Sequence, residues 1–148
     1  MEFGKLMKLR ILEKISKDLS NHIDNEVERL LVERDKEFDM DKIISIYAET
    51  MEVPLSFFIS RKVVNEVVNA KREVSFIFYV LNCPFYREYG INEIMKKDKV
   101  NEICNSLNIT RAQLQDYICS AKHFYKFYSD FNKRIDNFLL QNISHFYK

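Results

Sequence analysis

Arg111, Gln113 and Gln115 lie two residues apart in RAQLQDY, and their side chains suit the reading of base pairs. An arginine forks onto the two acceptors of guanine, and a glutamine pairs in two places with adenine. Such contacts are useful only on a scaffold that delivers them to a groove in fixed orientation. Thr110, Ala112 and Asp116 would share that exposed start of a helix, with Thr110 also capping it. Lys96, Lys97 and Lys99 lie just upstream, where phosphates would run, and Lys122 would complete the footprint.

The spacing around these residues predicts the scaffold. In VNEICNSLNITRAQLQDYICSA, residues 100–121, Cys104 is the small residue a crossing helix requires. Asn108, four residues on, accepts the left-handed backbone of a tight turn, and Ile109 plugs the turn. Ile103 and Leu107 face inward from the first helix; Leu114, Tyr117 and Ile118 face inward from the second. This is the pattern of a helix-turn-helix. A plain helical hairpin in an α-bundle shares part of it.

Other chemistries find less support. His22, His123 and His145 are far apart; His123 stands four residues after Cys119, and two ligands do not make a structural zinc site. There is no glycine-rich phosphate loop, nucleophile elbow or HExxH. The expectation is a non-enzyme with no cofactor, no metal and no small-molecule substrate.

The elements that must position the motif are all helical. With 47% hydrophobic residues but only two Gly and two Pro in 148, the chain has a core's worth of apolar surface and little turn material for sheets. The net charge of +1 is unevenly spread: residues 1–40 hold 8 Lys/Arg against 10 Asp/Glu, residues 55–134 hold 13 against 8. The second stretch therefore has the basic bias expected beside phosphate. Three cysteines without a pairing framework read as reduced thiols in an intracellular, cytoplasmic protein. No apolar run is long enough to span a bilayer, and no signal peptide is evident, so no membrane partner is expected.

Along the chain, residues 6–36 read as a long amphipathic helix with Leu12, Ile15, Leu19, Ile23, Val27 and Leu30 on one face. That stripe either packs on its own domain or pairs with a second copy as a homodimer through residues 12–30. Asp39 and Asp41 are candidate N-caps for a helix to Met51; a short helix follows from Pro54 to Phe58, and a long one from Lys62 to Asn82, stopped by Pro84. Further helices are expected near Ile91–Lys97, at Lys99–Leu107, Arg111–Phe127 and Asp130–Phe146. The fold class is all-α: an N-terminal arm, residues 1–38, and a helix-turn-helix domain, residues 39–148. The aromatic tail from His123 to Tyr147 is either core or, if exposed, a partner-binding patch.

Read outward from the motif, the chain resembles the C-terminal DNA-binding domain of the bacterial replication initiator DnaA family. DKIISIYAETMEVPLSFFIS, residues 41–60, is similar to that family's opening helix, turn and short helix; SRK, residues 60–62, falls at its basic loop. VVNAKREVSFIFYVL (67–81), EICNSLN (102–108) and DFNKRIDNFL (130–139) are similar to the long helix, the first motif helix and the closing helix. The resemblance covers about 100 residues, in order. It implies the fold, double-stranded DNA as partner, and phosphate or minor-groove contacts for Arg61 and Lys62. RAQLQDY stands where the family has an Asp-His-Thr-Thr run, residues 82–97 look inserted, and residues 1–40 hold no phosphate-binding loop. The family's target site, ATP switching and origin melting are therefore not implied. The alternative is a non-catalytic helical adaptor that keeps the fold without DNA readout.

Overall fold

The computed structural model describes residues 2–148 and divides them into two units, residues 2–35 and 36–148. The first is a single helix, α1 (Glu2–Arg34). Leu12, Ile15, Leu19, Ile23 and Val27 of its apolar stripe are between 39% and 62% exposed.

The second unit contains α2 (Met40–Met51), α3 (Ser56–Ile59), α4 (Asn65–Asn82), α5 (Pro84–Tyr89), α6 (Lys97–Leu107), α7 (Arg111–Phe127) and α8 (Ser129–Asn142), then a 3-10 turn at Ile143–His145. Among the described residues no strand forms; one isolated bridge joins Phe38 to Tyr147. Its hydrogen bonds, Asp39 N to Phe146 O (2.8 Å) and Lys148 N to Glu37 O (3.1 Å), fasten the two ends of the unit together.

The centre is α4, which packs against every other helix of the unit. All residues from Val74 to Asn82 are buried; most are apolar, and buried Asn82 donates from Nδ2 to Phe78 O at 2.8 Å. Rings fill the space around them: Tyr47 meets Phe58 and Phe138 edge-on, and Phe76 meets Tyr125 and Phe131. Each fully buried ring or aliphatic chain contributes about 1.5–3 kcal/mol relative to exposure. The aromatic tail is mainly core: Phe131, Phe138 and Phe146 are buried, while Phe127 and Tyr128 are exposed.

The helix boundaries differ from the sequence expectation in one instructive place. No helix forms over Ile91–Lys96; a helix forms at Pro84–Tyr89 instead. Pro84 occupies the first helical turn, where its missing N–H costs nothing. Gly90, at φ +67°, closes that helix by donating its N–H to Tyr86 O. The long helix ends at Asn82 just before Pro84, as expected, and the same Pro also starts a further helix that Gly90 stops. Similarly, α4 begins at Asn65 rather than Lys62, leaving Arg61 to Val64 in a loop.

Candidate nucleic-acid interface

The segment of residues 100–121 forms two helices, α6 and α7, joined by a tight turn. Asn108 adopts the left-handed conformation, φ +52° and ψ +51°, and its N–H and that of Ile109 return to Cys104 O. Ile103, Cys104 and Leu107 are buried, and so is Leu114, at 2% exposure. Burial raises the Cys104 thiol's pKa, and the small residue is packing material between the two helices.

Thr110 caps α7 in a reciprocal box: Gln113 N donates to Thr110 Oγ1 (3.1 Å), and Thr110 N donates to Gln113 Oε1 (2.9 Å). The amide oxygen of exposed Gln113, expected from sequence to face a base edge, is thereby engaged at the helix start. Arg111, exposed, donates from Nη2 to Asn101 Oδ1 at 2.6 Å, which orients the guanidinium against α6. Gln115 is exposed on the same flank; both border a cleft with residues 93–95. At 100° per residue, Ala112 and Asp116 point furthest from buried Leu114 and Ala121, and both are exposed.

The opposite flank of α7 faces the basic loop. Arg61, Lys62, Thr110, Gln113 and Tyr117 line a shared cleft of about 370 Å³. Two bonds hold its walls in register. Asn108 Nδ2 donates to Ile59 O at 3.2 Å, tying the turn to the end of α3. Lys71 Nζ donates to Ser60 O at 2.6 Å, from beneath the loop. Lys71 is only 3% exposed, and burial lowers its pKa. Ser60 Oγ accepts from Lys62 N (3.2 Å), which shapes the loop further. Arg61 and Lys62 are themselves exposed.

The remaining lysines separate. Lys97 is exposed at the start of α6, and Lys96 is its half-buried N-cap. Lys99 is corrected: it is 3% exposed and its ammonium is paired with Glu37, so it has no free charge to offer a phosphate. Lys122 is half-buried. Its Nζ reaches Asn92 Oδ1 (3.3 Å) and lies over the rings of Tyr79 and Tyr86, at 4.4 and 4.9 Å. It borders two clefts, one with Arg87 and Lys126 and the other with Arg111 and Gln115, and burial lowers its pKa.

Sequence reasoning missed Lys71 and Asn101. Lys71 had a readable signal, because it falls on the apolar register of Val67, Ala70 and Val74. Asn101 had none. Among the described residues no group of three metal-ligating side chains forms, and no helix is long and apolar enough to cross a membrane. No family model, curated protein or solved structure matches this chain.

Proposed function

We propose that residues 36–148 bind double-stranded DNA, with the start of α7 at the major groove and the loop at Arg61 and Lys62 on the adjacent backbone. The observation that carries this reading is the pairing of that exposed basic loop with the capped N-terminus of α7 across one cleft, fixed by the Asn108–Ile59 and Lys71–Ser60 bonds. Phosphate contacts set orientation and need rigid mounting; base contacts need a helix start aimed outward. Both requirements are met by neighbouring parts of one surface. In this reading Arg111 and Gln115 read bases, and Arg61, Lys62 and Lys97 contact phosphate. The protein acts in the cytoplasm as a regulator or accessory replication factor of DnaA-like descent. It has no catalytic role, and pairs with a second copy through residues 12–30.

Selection of bound duplexes from a random pool at about 0.15 M salt tests this, followed by titration of the enriched sequence. An enriched motif with salt-dependent affinity supports the reading. One observation favours the alternative of a helical adaptor: Asp116 occupies an outermost position of α7, where it opposes phosphate. For the adaptor, no duplex is retained even at low salt.

A further inference from the structure

The helix α1 has an exposed apolar stripe and a charge pattern that bears on how two copies would meet. Residues 2–17 hold five Lys/Arg and two Asp/Glu; residues 18–34 hold two and five. One half is thus as positive as the other is negative. This division does little for a lone helix. The terminal turns already carry the favourable charges, Glu2 first and Arg34 last, and helix-dipole effects fade beyond those turns. Within the interior, the basic half lies toward the N-terminus, the opposite of what the dipole favours.

We infer that α1 pairs with α1 of a second copy in antiparallel orientation, with the contact centred near Leu19. This rests on the dimer reading above and is independent of DNA binding. The exposed stripe is centred there: Ile15 and Ile23 lie four residues to either side, and Leu12 and Val27 lie seven and eight away. Antiparallel pairing superposes Leu12 of one copy on Val27 of the other and sets each basic half beside an acidic half. Parallel pairing sets basic beside basic and acidic beside acidic. Packed helices lie about 8–10 Å apart, comparable to the Debye length at physiological salt, so the preference persists there. Leu19 to Arg34 spans about 22 Å of helix at ~1.5 Å per residue. The two Arg34 ends are then about 45 Å apart.

The test is sedimentation of the intact chain, joined to cross-linking. In a background with exposed Cys119 changed to Ser, leaving Cys83 and Cys104 buried, Leu12→Cys and Val27→Cys are made separately. Both sites are exposed, and circular dichroism checks that each variant stays folded. The expected result is a dimer at micromolar concentration and a cross-linked product from a short bis-maleimide only when the two variants are mixed. Product from each variant alone means parallel pairing, which overturns the orientation but leaves the dimer. A monomer in sedimentation overturns both.

Discussion

Of seven cations placed at the DNA-binding face by sequence, four remain exposed where a phosphate could reach them: Arg61, Lys62, Lys97 and Arg111. Lys99 is buried against Glu37, Lys122 sits over two tyrosine rings, and Lys96 is half-buried. With Arg111 turned to the bases, the three phosphate contacts of Arg61, Lys62 and Lys97 give a log–log slope of affinity against salt of about −2.7, at roughly 0.9 per neutralised phosphate. Lys62→Ala should reduce the magnitude of that slope to about 1.8. If the electrostatic part vanishes near ~1 M salt, one contact is worth about fivefold in affinity at ~0.15 M. The loss should be equal on enriched and random duplexes, because a contact to the backbone carries no sequence information. Fluorescence anisotropy of a labelled duplex across a salt series measures both quantities. Lys133→Met is the control, since that exposed lysine of α8 lines neither cleft beside the start of α7. A flat salt response in the intact protein would refute the DNA reading. An unchanged slope in Lys62→Ala, or an equal reduction in Lys133→Met, would refute the assignment of the face.

Gln113→Ala should cost about 0.5–1 kcal/mol in a urea titration through loss of half the capping box, and leave the ratio of specific to random-duplex affinity unchanged. Lys71→Met should lower affinity for all duplexes while keeping the salt slope, because Lys71 anchors the loop at Ser60 without facing solvent; faster amide exchange over residues 60–64 is the accompanying sign. Burial raises the pKa of Tyr47, Tyr79 and Tyr125, helped in Tyr47 and Tyr125 by hydrogen bonds to Glu73 and Asp136. Unfolded tyrosines ionise near ~10, so the native state holds more protons above that pH; their stabilisation is complete below it and is lost as pH rises further. Lys71 and Lys122, with lowered pKa values, act in the opposite sense just below the ordinary lysine range. The expected net result is a urea midpoint that falls past pH ~10. A native protein whose tyrosine absorbance titrates fully at the free-tyrosine pH contradicts it.

The all-α fold was legible because its signals are local and repeated. Apolar spacing placed α2, α4, α6 and α7, and Thr110 and Asn108 marked the motif's turn by side-chain chemistry and backbone tolerance. Arg111–Phe127 coincides with its expected span. The end of the long helix before Pro84 was read correctly; the error near Gly90 came from not reading the same proline as the start of another helix. A proline is tolerated in a first turn, and only the helix on its far side reveals which role it has. The candidate site was legible by residue type but not by availability. Whether a lysine is a free cation depends on partners distant in sequence: Glu37 lies 62 residues from Lys99, and Asn92 30 from Lys122. No periodicity encodes those pairs. Gln113 differs, since Thr110-x-x-Gln113 is a capping box in the sequence itself, and that reading competes directly with base contact.

These placements divide the labour on α7 more sharply than its composition did. Gln113 and Tyr117 lie on the flank toward the basic loop, Arg111 and Gln115 on the other, and Ala112 and Asp116 between them. A helix laid in a major groove presents its outermost residues deepest. Ala112 can offer only apolar contact there, as to a thymine methyl, and Asp116 can only accept, from the amino group of cytosine or adenine. The hydrogen-bonding repertoire is therefore Arg111, Gln115 and Asp116, of which Arg111 is already oriented by Asn101. A mismatched base pair costs about 1–3 kcal/mol at each contacted position. Two or three such positions make a short site of moderate selectivity for one domain. A second copy carried on α1 would double the number of bases read without adding a side chain to α7, so dimerisation and specificity would rise or fall together.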